Sequence, residues 1–189
     1  MKIKLGTAVD AQGMEVEIWH TDNIGQQKGL AVAYLKATTY LLERNWAMAP
    51  FDLATNSHRG IWLEKDGEVL GGVIYEYHTH NKQGWIVLIF TEEKYRGRHL
   101  YSIIQQAFEE EVIKLGAISI ASMAHKDNEA RLKAGVREGM LPQYLRLYKD
   151  LTPELDQRKQ QIAGKTGKPW REVNLEKWTP AIPLWMKKN

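Results

Sequence analysis

Two hydrophobic periods alternate along this chain. Apolar residues that recur every second position indicate a half-buried strand, whereas recurrence every three to four positions indicates an amphipathic helix. The helical period predicts helices over residues 23–46, 100–115 and 127–138. The strand period and short apolar runs predict seven strands, at residues 2–7, 14–20, 60–65, 68–78, 85–90, 117–123 and 141–151.

Turn residues separate these segments. Residues 10–13 form a turn between the first two strands, and Asp66-Gly67 lies between two strand patterns, which is a strong hairpin signal. A second hairpin is predicted at residues 80–84, and residues 47–59 form a loop rich in Pro, Asp, Asn and Ser. The order of strands and helices indicates a mixed α/β fold.

Composition narrows the class of protein. A chain of 189 residues with 43% hydrophobic and 26% charged residues is expected to form a globular domain. No apolar run approaches the roughly 18–20 residues that cross a bilayer, and no signal peptide is evident, so we expect a cytoplasmic protein that does not act at a membrane. The absence of Cys excludes disulfides, zinc thiolate sites and cysteine nucleophiles. A net charge of +3 does not by itself imply a nucleic-acid partner.

A basic turn joins the apolar run at residues 85–90 to the helix that begins near Leu100. It contains Lys94, Arg96, Gly97 and Arg98. The first turn of a helix has unpaired backbone N–H groups and a partial positive charge, so a diphosphate can bind there. From the residues alone, a plain connection with a solvated basic turn remains an alternative.

This turn resembles motif A of the GNAT superfamily of N-acetyltransferases, which cradles the pyrophosphate of acetyl-CoA. The family pattern is roughly Arg-Gly-x-Gly-x-Gly/Ala, and the sequence here is Arg96-Gly97-Arg98-His99-Leu100-Tyr101. The first glycine is kept, whereas His99 and Tyr101 stand at the other two glycine positions. The later spacing of Asn128 and Gly139 also resembles the family.

The resemblance covers residues 1–151 and implies the GNAT fold, a mixed and mostly antiparallel sheet with splayed central strands and flanking helices. It implies acetyl-CoA as co-substrate, with Phe90 and Thr91 pairing with the pantetheine arm and Asn128 bonding nearby. The pyrophosphate would be held by Arg96, Gly97, Arg98, His99, Leu100 and Tyr101. Asn128 also precedes a helix, so it is a candidate N-cap, and the two roles can coexist.

The catalytic groups are less clear from the sequence. In the family register, the tyrosine that often acts as general acid is replaced by Gly135, so the thiolate needs another donor, leaves unaided, or is not formed. The resemblance places the N–H that stabilises the oxyanion on residues 88–90. As base we predict Glu76 and His78, with Glu76 opposite Val87 in the second hairpin. The alternative is that these two residues and His80 form a solvated strand face.

Other residues are candidates for neighbouring roles. By resemblance, the loop after the first helix sets acceptor specificity, with Trp46, Phe51, Asp52, Ser57 and His58 as its candidates. Beyond the predicted pyrophosphate role of His99, His125 can approach the co-substrate or lie in a loop. Tyr144 and Tyr148 can supply a phenol or pack in the core.

The tail over residues 152–189 lies outside the common fold and carries Trp170, Trp178 and Trp185. Such a tail is expected to fold back on the core or to dock on a partner, and a homodimer is one hypothesis. Basic and aromatic residues together also fit a nucleic-acid surface.

Three functions follow from these observations. The favoured one is an N-acyltransferase that moves an acetyl group from acetyl-CoA to a primary amine of a small molecule or protein by direct attack. The second is a degenerate GNAT domain that binds CoA or a macromolecular partner without turnover. The third, and least favoured, is a protein that modifies or binds nucleic acid.

Overall fold

The computed structural model describes residues 1–44, 46, 58–125 and 127–140, and all of them belong to a compact unit, Met1–Leu141. The strand predicted at residues 141–151, the tail and the boundary at residue 151 lie outside the described residues and stay predictions. Among the helices that the structure describes, none is long and apolar enough to span a bilayer.

The described residues form one six-stranded sheet and three α-helices. The strands are β1 (Ile3–Val9), β2 (Glu15–Thr21), β3 (Arg59–Lys65), β4 (Glu68–His78), β5 (Gln83–Thr91) and β6 (Ser119–Ser122). The α-helices are α1 (Lys28–Glu43), α2 (Leu100–Lys114) and α3 (Glu129–Arg137). The strands lie in chain order, with antiparallel pairs from β1 to β5 and a parallel pair between β5 and β6. This arrangement confirms the predicted mixed α/β class.

The first helix begins later than its hydrophobic period predicts. Residues Ile24–Gln26 form a separate 3-10 turn, in which the Asn23 side chain accepts a hydrogen bond from the Gly25 amide at 2.9 Å. This local cap ends before Lys28, where α1 begins. A side-chain oxygen that satisfies a backbone amide competes with continuous helix at such a position.

Each face of the sheet buries one helix. Phe108 and Ile104 of α2 pack on one face with Tyr75, whereas Leu30 and Tyr34 of α1 pack on the other. Neighbouring residues of β3 alternate between the two cores: Ile61 and Leu63 belong to the α2 side and Trp62 belongs to the α1 side. The two-residue period of a strand accounts for this alternation.

The hairpin between β4 and β5 has a different register from the predicted one. Ile74 pairs with Leu88 and Tyr75 pairs with Ile86, so Val87 is an extra residue on β5. Glu76 lies opposite Trp85, and the predicted partner Val87 is wrong. The physical reason is that the turn closes over residues 79–82, slightly earlier than predicted, and the bulge lies farther from the turn than Glu76.

The splay predicted between β5 and β6 is present. Pairing runs from Gln83 to Ile86 on β5 and from Ser119 to Ser122 on β6. β5 then continues to Thr91 with no partner on β6. Among the described residues, one backbone edge of β5 therefore has no strand partner from Val87 onwards, and we call it the open edge.

Candidate functional site

The turn between β5 and α2 ends in a helix terminus with unused backbone donors. Gly97 and His99 both have left-handed backbone angles, with φ of 78° and 62°. The His99 carbonyl accepts from the Ser102 amide at 3.1 Å. Within the described ranges, the amides of Leu100 and Tyr101 have no acceptor. Two backbone N–H groups thus remain at the positive end of a 15-residue helix.

His99 stands where the GNAT pattern has its second glycine, and its backbone nevertheless adopts the conformation that favours glycine. The left-handed region costs a residue with a Cβ roughly 1–2 kcal/mol. The substitution therefore changes the side chain at the turn without changing the direction of the chain.

Arg98 is committed to a buried carboxylate. Its Nε donates to Asp10 Oδ2 at 2.5 Å, and its carbonyl accepts from the Ala11 amide at 3.2 Å. Asp10 also accepts from the amides of Gln12 and Met14, both at 2.9 Å. Burial alone would raise the pKa of Asp10, but the hydrogen bonds from Arg98, Met14 and Gln12 hold it below its usual range. Arg98 thereby ties the turn to the β1–β2 connection.

Arg96 is the least tightly paired of the three predicted cations. Lys94 forms an ion pair with Glu68, whereas the nearest carboxylate oxygen to Arg96 among the described residues belongs to Glu93, at 4.0 Å. Charge for an incoming anion is therefore available mainly from Arg96. The predicted anion-binding roles of this turn stay predictions.

A guanidinium bridges α2, β6 and α3 where the splay begins. Arg131 donates to Tyr101 Oη and to Ser122 Oγ, each at 2.8 Å. Asn128 caps α3 and accepts from the Arg131 amide at 3.2 Å, as expected of an N-cap. Burial is the main reason that the pKa of Tyr101 is raised, and Arg131 opposes this rise only in part.

Gly135 leaves room for this guanidinium. A Cβ at Gly135 would lie 2.8 Å from Arg131 Nη1, closer than real Cβ contacts come. Any side chain at this position would have to displace the Arg131 head group. The position at which the resemblance implies a tyrosine in other family members is therefore next to the Arg131 guanidinium of the same helix.

Glu76 joins two histidines. Its Oε1 lies 3.0 Å from His58 Nε2, and its Oε2 lies 3.0 Å from His78 Nε2. His58 is 7% exposed, whereas the His78 side chain is 31% exposed. The His78 ring stacks on Trp85, with centroids 6.2 Å apart and planes 13° apart. Trp85 is opposite Glu76 and precedes Ile86, the last β5 residue paired with β6.

The structure brings together some sequence candidates and separates others. It joins Glu76 to His78, as their same-face spacing predicts, and adds His58, whose contact with Glu76 sequence reasoning missed. The signal was available in the β3–β4 hairpin, where Arg59 pairs with Tyr75, so the preceding residue, His58, comes beside the following one, Glu76. One bulged residue in that hairpin makes simple counting from Asp66-Gly67 miss by one position.

The remaining candidates divide in the same way. His125 accepts from the Asp127 amide at 3.2 Å, which supports its loop interpretation, and Trp46 packs on Tyr40 at 6.3 Å. The other residues named for the acceptor loop and the last strand lie outside the described residues: Phe51, Asp52, Ser57, Tyr144 and Tyr148. In the described part of the chain, no group of three or more His, Asp or Glu has a geometry that could hold a metal ion.

Comparisons with known structures agree on the fold. An aminoglycoside acetyltransferase from an uncultured soil metagenomic sample is 11% identical, with a TM-score of 0.58 over 72% of this chain and 97% of that one. A ribosomal-protein-alanine N-acetyltransferase from Brucella melitensis biovar Abortus 2308 is 12% identical, with a TM-score of 0.57 over 72% and 99%. An aminoglycoside N-acetyltransferase in complex with CoA is 15% identical, with a TM-score of 0.52 over 71% and 99%.

A search of curated proteins found no match. The model of the acetyltransferase (GNAT) family matches residues 26–134, which is more than half of the chain. The matched segment contains the turn before α2, the open edge of β5 and the Glu76 cluster. The chain therefore belongs to the acetyltransferase (GNAT) family, which confirms the GNAT fold and the N-acetyltransferase class expected from the sequence.

Proposed function

We propose that this protein transfers an acetyl group from acetyl-CoA to a primary amine by direct attack of the amine on the thioester. The observation that carries the proposal is the open edge of β5, which leads from the bulge at Val87 to the unpaired amides at the start of α2. An extended ligand with amides along its length and a diphosphate at one end complements this edge.

The pyrophosphate is assigned to the turn before α2. The amides of Leu100 and Tyr101 and the Arg96 side chain supply donors and charge there, and Arg98 fixes the turn through Asp10. A helix N-terminus binds phosphate through such amides and its dipole. The Gly97 position is open, since a Cβ there would meet no atom within 4 Å.

The pantetheine arm is assigned to β5. Phe90 and Thr91 already pair with Gly72 and Gly71 of β4, so their side toward β6 is available to the two amides of the arm. Backbone groups at an open strand edge need partners, and a ligand that acts as a strand supplies them. Asn128 is assigned a neighbouring role, because it caps α3, whose Arg131 contacts Ser122 at the end of β6.

The thioester is then placed near the bulge and the Glu76 cluster. An amine that attacks the carbonyl carbon must lose a proton, and Glu76 and His78 are the titratable groups assigned to that step. The oxyanion is assigned, as the resemblance implies, to a backbone N–H of residues 88–90, on the part of β5 that follows the bulge at Val87.

The acceptor is assigned to an amine of a small molecule or a protein. The solved relatives include acetyltransferases for aminoglycosides and for ribosomal-protein alanine, which are acceptors of both kinds. Cytoplasmic location and a homodimer also stay predictions.

Gly97→Asp tests the placement of the diphosphate. A carboxylate at this turn would repel the pyrophosphate, and unlike charges a few ångströms apart near a surface are coupled by about 4 kcal/mol, so like charges lose a comparable amount. We expect at least a tenfold weaker affinity for acetyl-CoA by calorimetry, about 1.4 kcal/mol, with a smaller loss at high salt.

Gly97→Asn is the matched control, because it has the same Cβ and the same left-handed backbone strain without the charge. It should retain most of the affinity. Equal affinity of the Asp and Asn variants would place the diphosphate elsewhere. If the wild-type chain binds acetyl-CoA yet acetylates no amine in a broad panel, the binding function without turnover replaces catalysis; Arg131 above Gly135 is the feature that favours that second candidate.

A further inference from the structure

Both oxygens of the Glu76 carboxylate are engaged by imidazole nitrogens. Oε1 faces His58 Nε2 and Oε2 faces His78 Nε2, each at 3.0 Å. An ionised carboxylate only accepts hydrogen bonds, so the His78 Nε2 atom that is hydrogen-bonded to Glu76 must carry a proton. Each oxygen of Glu76, whose side chain is 30% exposed, therefore already has an imidazole beside it and keeps only its second lone pair for other groups.

The tautomer of His78 follows from this contact. A neutral imidazole has one N–H, and when that N–H is at Nε2 the other nitrogen, Nδ1, is an acceptor. No described group bonds to His78 Nδ1, and the side chain is 31% exposed. His58 is 7% exposed, so an amine arriving from solvent meets His78 first.

We infer that Nδ1 of His78 is the atom that removes the proton from the acceptor amine, and that Glu76 is a positioning residue that fixes the ring and its tautomer. This inference rests on the proposed acetyl transfer and narrows it. It changes the sequence-based assignment of Glu76 from base to orienting partner.

Three neighbours hold the His78 ring in place: the Glu76 carboxylate, described above, and two aromatic rings. His78 stacks on Trp85 of β5 and on His80 of the following turn, with centroids 6.2 and 5.9 Å apart. Trp85 immediately precedes Ile86, the last β5 residue paired with β6. The His78 ring, which stacks on Trp85, therefore lies close to the point where the open edge of β5 begins. A base fixed by packing spends less free energy on orientation when the substrate arrives.

The proton transfer balances within the proposed reaction. The amine nitrogen forms a C–N bond to the thioester carbon and passes a proton to His78 Nδ1, while the C–S bond breaks. Its electron pair goes to sulfur, which leaves as the CoA thiolate. The charged groups that face the new imidazolium are Glu76, which stabilises it, and His58 and His80, which oppose it when they are protonated.

Nitrogen-15 NMR of the histidine rings tests the assignment without any substrate. We expect neutral His78 to be the Nε2–H tautomer in the wild-type chain. In Glu76→Gln the side-chain amide can also donate, so this tautomer should lose its dominance. His80→Gln is the matched control, because His80 stacks on the same ring without contacting Glu76, and it should leave the tautomer unchanged. A dominant Nδ1–H tautomer in the wild-type chain would overturn the inference.

Kinetics test the same assignment with acetyl-CoA and an amine that the wild-type enzyme acetylates. His78→Gln should lower kcat by about 10²–10⁴-fold, with the affinity for acetyl-CoA unchanged by calorimetry. Glu76→Gln should lower kcat less and shift its pH profile. Glu15→Gln, the same change at an exposed carboxylate of β2, should leave kcat and its pH profile unchanged. Full loss in Glu76→Gln with wild-type kcat in His78→Gln would return the base to Glu76. A wild-type chain that binds no acetyl-CoA contradicts the proposed function, while the NMR result still decides the tautomer.

Discussion

At the scale of single residues, His20 couples folding to pH. It is buried on the α2 side of the sheet, with Nε2 3.2 Å from the hydroxyl of the fully buried Tyr75. Burial lowers the pKa of His20 below its usual 6.5, and the neighbouring Glu111 and Asp22 offset this effect only in part. Burial also raises the pKa of Tyr75, so its hydroxyl stays protonated.

The sign follows from which state binds the proton. Below pH 6.5 the unfolded chain protonates His20 before the folded chain does, so stability is fully present above this pH and falls as the pH decreases. Each unit by which folding lowers the pKa of His20 corresponds to about 1.4 kcal/mol of unfolding free energy that is lost at low pH. Urea unfolding between pH 7.5 and 5.5 should show this loss, and His20→Gln should show a flatter dependence. An equal slope in both proteins would assign the loss to other groups.

The turn between β5 and α2 shows which features the sequence can predict and which it cannot. A glycine and basic residues before an amphipathic helix suffice to predict an anion site. The pattern does not reveal that His99 keeps a left-handed backbone, or that Arg98 is paired with Asp10, 88 residues away in sequence. Long-range pairing of this kind depends on which strands meet, and a local pattern does not contain that information.

At the scale of elements, the positions of the strands could be predicted from the sequence, whereas the pairing register between them could not. The two-residue period and the Asp66-Gly67 turn locate β3 and β4 closely. Each adjoining hairpin contains a bulge, however, one between Leu63 and Glu64 and one at Val87. The first bulge lies between the Asp66-Gly67 turn and Glu76 and changes every later pairing, so the contact of Glu76 with His58 could be found only from the folded sheet.

Replacing glycine by alanine should change the stability of the fold in opposite directions at two helical glycines, Gly29 and Gly135. A Cβ at Gly29 of α1 would contact Val69 at an ordinary 3.6 Å, whereas a Cβ at Gly135 of α3 would lie 2.8 Å from Arg131 Nη1. Alanine is the better helix former by about 0.8–1.0 kcal/mol in a helix interior. We expect Gly29→Ala to stabilise the fold by about 0.5 kcal/mol, since Gly29 lies in the first turn.

Gly135→Ala should instead destabilise the fold by about 1 kcal/mol, because the hydrogen bonds of Arg131 to Tyr101 and Ser122 must shift. Urea unfolding of both variants measures the difference. In an Arg131→Met background, Gly135→Ala should no longer be destabilising, since the guanidinium is absent. Persistent destabilisation in that background would show that the glycine serves the helix itself.

At the scale of the whole molecule, the sheet separates two tasks. The α2 side carries the helix terminus proposed to bind the diphosphate and the larger core, whereas Glu76, His78 and Trp85 belong to the other face, beside the α1 core. The open edge of β5 connects the two. In the proposed function, acetyl-CoA along this edge would be positioned by the start of α2, and its thioester would react near Glu76 and His78.

The positions of the buried apolar side chains along the chain predict that residues 1–151 form a domain without the tail. In the described part of the chain, every fully buried apolar side chain falls between Val16 and Val112. A chain shortened after Leu151 should unfold cooperatively and bind acetyl-CoA within about threefold of the full chain, a difference of under 1 kcal/mol. Calorimetry and urea unfolding measure both properties, with the full chain as control. A shortened chain that is unfolded would place the tryptophans of the tail in the core. A folded shortened chain that sediments as a monomer, beside a dimeric full chain, would place them at the interface between two copies.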